Sequence, residues 1–199
     1  MAFKILGKAY RNVWRELWTI LIVQLLFLLG HLLIVLGPPV TVAMFYYGNR
    51  IAHDELATER DFLRAIGQYW KPAWRWGGLN LLVVGLLAGD YYLTGRWMGN
   101  PDLASFLQGL YAALLAFWLL LQMFALPFLF EQERPSVLQA LRNSTVFVRK
   151  NLILAIVLGS LLAISLAVGT LAFMLTFVFG AALVSFAGNH AILADLGVS

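Results

Sequence analysis

Long apolar runs separated by short basic stretches set the layout of this chain. The first run, 18–36, is stopped by Gly37-Pro38-Pro39, because adjacent prolines remove backbone donors and disfavour helix in the residue before them. Apolar character resumes over 39–53 and returns at 77–93, 103–130, 152–168 and 171–190. Residues 152–194 are too many for one crossing of ~30 Å of hydrocarbon, so the chain is expected to turn near Gly169-Thr170. The pattern predicts an all-α, polytopic helical membrane bundle of six segments, the second one short, in a single domain over 1–199.

The intervening stretches are amphipathic. Over 1–17, Phe3, Leu6, Tyr10, Val13 and Leu17 recur at helical spacing, with Lys4, Lys8, Arg11 and Arg15 in a stripe beside them. Such a helix lies in the headgroup layer and anchors topology. The long basic region and the lack of an A-x-A-like site after the apolar run argue against a cleaved signal peptide. Over 54–76, Thr58 and Asp61 fit a capping box. Asp61, Arg64, Gln68, Lys71 and Arg75 form the polar stripe, and Phe62, Ile66, Tyr69 and Ala73 the apolar one, with Leu63, Trp70 and Trp74 beside it. Pro72 is expected to open a new helix. In 131–151, Ser136 and Gln139 offer a second box, and Leu138, Leu141, Thr145 and Val148 an apolar face. The loop 90–102 carries Tyr91, Tyr92 and Trp97 as an outer aromatic belt.

Composition sharpens this. The chain is 61% hydrophobic and 12% charged, against about 25% charged in soluble domains. That much apolar surface implies an integral membrane protein with the lipid bilayer as its first partner. Cysteine is absent, which excludes disulfide and thiol chemistry. The net charge of +4 gives no nucleic-acid signal; its meaning lies in where the cations fall. With Gly37-Pro38-Pro39 as an external turn, thirteen Lys and Arg face one side and only Arg96 the other. With 18–47 as one kinked span, the best split is nine against five. The positive-inside rule favours the first, with both termini cytoplasmic.

Candidate chemistry is sparse. His31, His53 and His190 show no metal-ligand spacing, and no phosphate loop or nucleophile elbow occurs, so no cofactor, no metal and no enzymatic activity are expected. Gln24, Asn80 and Gln122 fall at a similar depth in three apolar segments, with His31 as a further intramembrane polar residue. They either line a small polar cavity or make interhelical hydrogen bonds. Gly159, Ala163 and Ala167, four apart, suit close packing between 152–168 and 171–190. A parallel internal repeat is suggested by Phe62-Leu63-Arg64-Ala65-Ile66 set against Val137-Leu138-Gln139-Ala140-Leu141.

The basic N-terminal helix, GPPVTVAMFYYGNR and DFLRAIGQYWKPAWRWGGLN together resemble the YesL-like bacterial integral membrane proteins over essentially the whole chain. Pro39-Val40 stands where that family usually has Ala-Thr. The resemblance implies a multi-pass protein of the bacterial cytoplasmic membrane associated with carbohydrate import, and offers no catalytic residues. The expected function is a non-enzymatic accessory or scaffold of an ABC importer, contacting its permease subunits through Phe62, Leu63, Trp70, Leu138 and Leu141, with homo-oligomerisation also open. The alternative is a small-solute transporter or channel.

Overall fold

The computed structural model describes residues 1–171 and 174–197, and side chains outside 169–179. Among the described residues it is all-helical: α1 (Ala2–Arg15), α2 (Leu17–Leu32), a 3-10 turn (Ile34–Leu36), α3 (Gly37–Ala52), α4 (Glu59–Gln68), α5 (Trp70–Trp97), α6 (Pro101–Phe130), α7 (Val137–Lys150), α8 (Leu152–Leu171) and α9 (Met174–Leu196). The turn expected at Gly169-Thr170 is displaced. Helix α8 continues through Leu171, and the connection at 172–173 lies outside the described residues.

Local signals explain most boundaries. Gly37, Pro38 and Pro39 form the first turn of α3, where proline's missing N–H costs nothing. At α4 the Thr58 N–H donates to Asp61 Oδ2 (3.0 Å), and Asp61 N–H returns a bond to Thr58 Oγ (3.4 Å). The Ser136 box is only half made. Gln139 N–H reaches Ser136 Oγ, but the Ser136 N–H is taken by the Gln132 side chain (2.9 Å). Helix α5 starts at Trp70, which leaves Pro72 within its first turn.

The core is built around α3. Ten of its sixteen residues are buried, and it packs on α9, α4, α2, α5 and α6. Helix α5 buries only Ala73. Helix α6 divides in two: 121–129 is buried, while most of the turns before it are exposed and pack mainly on α5. Among the described residues, the 97–101 end of the α5–α6 hairpin is therefore largely exposed. Two aromatic groups tie the other end together. Tyr46, Tyr69 and Phe130 have ring centroids 5.2–5.6 Å apart, and Phe124 lies 4.8 Å from Phe147.

Three sequence expectations change, and a fourth holds only in part. Helix α1 buries Ala2, Ile5, Ala9, Asn12 and Val13 and packs mainly on α9, where Asn12 bonds His190, leaving Phe3 and Tyr10 exposed. Helix α7 buries Ala140, Ser144, Phe147 and Val148 rather than Leu138 and Thr145. Gly159 faces Leu120 of α6, and with Ala163 it lines an apolar groove of about 620 Å³ between α6 and α8. Val184 of α9 also borders this groove, and Ala167 is exposed.

The fourth concerns span count. Among the described residues one helix, α6, is long and apolar enough to cross a membrane. The count reaches three if α1 with α2 (bent by 93°) and α7 with α8 (102°) are each one span. Helices α2 and α3, expected at 18–36 and 39–53, have sixteen residues each. That is roughly 24 Å of helix, short of ~30 Å of hydrocarbon.

The two pentapeptides set against each other share burial at three positions: Ala65 and Ala140 are buried, Ile66 and Leu141 half-buried, Leu63 and Leu138 exposed; at the first, Phe62 is buried and Val137 half-buried. Their helices start at different points, since Phe62 is four residues past its N-cap and Val137 one residue past.

Candidate functional site

Of the four polar residues singled out within apolar segments, two meet. Asn80 Nδ2 lies 3.5 Å from Gln122 Oε1, joining α5 to α6. Two indoles complete the arrangement: Trp76 Nε1 donates to Gln122 Oε1 (2.8 Å), and Trp118 Nε1 donates to Asn80 Oδ1 (3.0 Å). Asn80 also donates to the Trp76 carbonyl (2.9 Å). Side chains at helical spacing on facing helices thus form a four-residue clamp, whose carbonyl oxygens are occupied by indole donors. Gln24 is buried elsewhere, on α2, which packs against α3, α9 and α4. His31 is exposed at the end of α2. Its Nδ1 donates to the Phe27 carbonyl (2.9 Å), and its Nε2 lies 3.2 Å from Thr41 Oγ. The expected four-member cluster is therefore a pair, because the depth of a residue along its helix says nothing of the side it faces.

A larger polar assembly joins α3, α6 and α9. Asn49 donates to Glu131 Oε1 at the end of α6 (2.6 Å) and to Asn189 Oδ1 on α9 (3.1 Å). His53 Nε2 lies 2.9 Å from the same Glu131 oxygen. Asn189 also donates to the Ser185 and Phe45 carbonyls (2.9 and 3.4 Å), and Ser185 Oγ to the Met44 carbonyl (3.1 Å). His190 Nε2 accepts from the Asn12 amide (2.9 Å), which fixes α1 to α9. Two glycines permit these approaches. A Cβ at Gly48 would collide with Ser185, and one at Gly188 would come within 2.7 Å of the Met123 carbonyl oxygen. Of this assembly the sequence drew attention to the histidines and to Asn189, a polar residue within an apolar segment. A usable signal was present in SFAGNH, where Ser185, Gly188 and Asn189 share a face at spacings of three and four. Among the described residues no three His, Cys, Asp or Glu side chains converge as metal ligands.

Beside it lies a charged layer. Arg50 pairs with Glu55 (2.9 Å) and Asp61 (2.8 Å), and Arg15 with Glu16 (3.1 Å) and Asp54 (3.2 Å). Burial pushes the Asp61 carboxyl up, but bonds from the Thr58 backbone and hydroxyl, together with Arg50, outweigh it and hold the group below its ordinary range. The Arg15 guanidinium is raised, first by its bond to Asp54. Burial, with Tyr46 nearby, raises the Tyr69 phenol. Asp54 adopts the left-handed conformation (φ 56°) that ends α3, letting its carboxylate meet Arg15.

The residues expected to form a partner surface differ in exposure. Phe62 is fully buried under α3 and is no surface residue. Its truncation would cost on the order of 3–5 kcal/mol of stability. Leu63, Trp70 and Leu138 are exposed, and Leu141 is half-buried. Leu138 borders a cleft of about 370 Å³ lined also by Pro72, Arg75, Leu79, Pro135 and Val137, between the starts of α5 and α7. No protein-family model, no curated protein and no solved structure matches this chain.

Proposed function

We propose that this chain is a non-enzymatic, multi-pass protein of the bacterial cytoplasmic membrane, with six membrane segments, both termini cytoplasmic, and an accessory role in carbohydrate uptake. The distribution of cations supports the orientation: thirteen of fourteen Lys and Arg fall in segments that share one side. One structural observation carries the scaffold reading. Leu138 is 77% exposed at the rim of the α5–α7 cleft, with Arg75 on its wall, on the side assigned to the cytoplasm. An apolar side chain beside an open cleft with a cationic wall suits an amphipathic element of a partner. The resemblance to YesL-like proteins suggests that the partner is the permease of an ABC importer.

Affinity purification in mild detergent, with mass spectrometry, tests this. Importer permease subunits should accompany the native chain and be lost from Leu63→Asp/Leu138→Asp, both surface changes that leave the fold intact. Retention of the permease by that variant would rule out this surface. Purification of the native chain without importer subunits would rule out the accessory role. The alternative, small-solute transport, draws on the Glu131–Asn49–Asn189 chain between three helices, buried at Asn49 and Asn189. Solute flux in proteoliposomes, abolished by Glu131→Gln, would favour it.

A further inference from the structure

Three stretches of the chain repeat one pattern of burial. Each position from 3 to 16 matches its counterpart in 138–151 as buried, half-buried or exposed. Residues 62–77 follow 2–17 in the same way and depart only at 68, 69 and 72. The first two copies also share sequence. Phe3-Lys4-Ile5-Leu6-Gly7 stands against Leu63-Arg64-Ala65-Ile66-Gly67, and Tyr10-Arg11-Asn12-Val13-Trp14-Arg15 against Trp70-Lys71-Pro72-Ala73-Trp74-Arg75. The second copy runs across the junction of α4 and α5. Its faces stay aligned there, because Tyr69 N–H donates to the Ala65 carbonyl (2.9 Å) and Ala73 N–H to the Tyr69 carbonyl (2.8 Å). Packing repeats as well. Helix α1 lies on α9, α4 on α3 and α7 on α6, while α3, α6 and α9 pack on one another.

The exposed side of the first two copies carries one arrangement. Tyr10 (38% exposed) and Trp14 (70%) lie one helical turn apart with exposed Arg11 beside them. Trp70 (37%) and Trp74 (38%) repeat this around exposed Lys71. No acidic residue occurs within 1–15 or 62–75. Among the described residues Arg11 and Lys71 form no ion pair, so both charges face outward without a counter-charge of the protein's own. The third copy lacks the arrangement, with Thr145, Val146 and Arg149 at the corresponding places.

This chemistry suits the headgroup layer of a bilayer. Indole and phenol rings settle at that level, and Lys or Arg beside them attracts anionic lipid. Helix α1 also runs at 93° to the apolar α2, the arrangement of an in-plane helix that leads into an apolar segment. Repetition separates lipid from protein as the occupant. One of the two like faces is seated on α9 and the other on α3. A single protein contact would use one such face, whereas a lipid leaflet meets both.

We propose that Tyr10-Arg11-Trp14 and Trp70-Lys71-Trp74 are two equivalent binding sites for anionic phospholipid, each cation on a lipid phosphate and each aromatic pair beside the glycerol and upper acyl groups. The proposal rests on the membrane reading above, which assigns both stretches to the cytoplasmic side. It goes beyond that reading by giving these two faces to lipid and leaving the third copy, with Leu138, to a protein partner.

Native mass spectrometry of the full chain, purified in neutral detergent and titrated with phosphatidylglycerol or phosphatidylcholine, reads the sites. Two phosphatidylglycerol molecules should be retained in preference to phosphatidylcholine. Arg11→Gln and Lys71→Gln should each weaken one of the two by about fivefold, and the double variant should weaken both. Arg11→Lys and Lys71→Arg should keep them. Arg134→Gln removes an exposed cation outside the three copies and should change neither. Equal weakening by Arg134→Gln would show an effect of net charge alone and overturn the proposal, as would equal retention of the two lipids. Loss of a co-purifying importer permease from the double variant, with lipid retention unchanged, would give these faces to a protein and overturn it too. Recovery of the native chain in the soluble fraction of lysed cells, without detergent, would refute the membrane reading itself.

Discussion

Helix α9 crosses α6 so closely that one methyl group should be felt. Adding a Cβ at Gly188 would bring it within 2.7 Å of the Met123 carbonyl oxygen and 3.2 Å of Pro127 Cγ. An ordinary contact begins near 3.4 Å, so the helices must separate by several tenths of an ångström. The obstacle is backbone and cannot rotate away. Overpacking of this kind costs about 1–3 kcal/mol. Against it stands the intrinsic preference for alanine over glycine in a helix, about 1 kcal/mol. Gly188→Ala should therefore be net destabilising by up to about 2 kcal/mol. Two controls share the chemistry and not the obstacle. At Gly159 the new methyl would meet only Leu120 Cδ1, the end of a flexible side chain, so Gly159→Ala should be near neutral. At Gly85 it would meet nothing within 4 Å, and Gly85→Ala should stabilise by up to about 1 kcal/mol. Thermal unfolding in mild detergent reads the series, with a shift of about 2–4 °C per kcal/mol for a chain of this size. The order Gly85→Ala, Gly159→Ala, Gly188→Ala should run from highest to lowest Tm. A Gly188→Ala protein as stable as Gly85→Ala would refute the close α6–α9 crossing, and with it the packing that brings Asn189 toward Asn49.

Two further outcomes follow from the polar contacts. Asn80→Leu and Gln122→Leu should each destabilise, and a double-mutant cycle should return a coupling of about 0.6–1.7 kcal/mol, the range of interhelical hydrogen bonds in membranes; strict additivity would show that the pair does not interact. For Asp61 the folded carboxyl titrates below its ordinary value, so its contribution is complete above the unfolded value of about 3.9 and is lost as pH falls through the lower folded one. The stability gap between the native chain and Asp61→Asn should hold from neutral pH to about pH 4 and close below it; a gap that widens with acid would reverse the assigned sign.

Much of the helix layout was legible because its causes are local. The Thr58–Asp61 box and the prolines at the first turn of α3 act within one turn of chain. Any apolar stretch between such signals must be helical if it is to satisfy its own backbone in lipid. Facing was not legible. In a chain that meets hydrocarbon on one side and its own core on the other, both sides of a helix are apolar. Hydrophobic period therefore could not tell Phe3 and Tyr10 from Ile5 and Ala9 on α1, nor Leu138 from Phe147 on α7.

Polar grouping and the seating of the first hairpin were decided by tertiary structure alone. Asn49 meets Asn189 across 140 positions and Asn12 meets His190 across 178, separations at which periodicity carries no information. Seating is a property of contacts between elements: the pattern around Gly37-Pro38-Pro39 marks a break, and only the packing of Pro38 on Gly77 fixes how far along α5 that break lies. The sequence by itself thus determined that the chain is helical and where most of its helices begin, since each of these depends on nearby residues. The fold decided which faces are buried, which amides meet and where the first hairpin meets α5, because these depend on the close approach of helices distant in the chain.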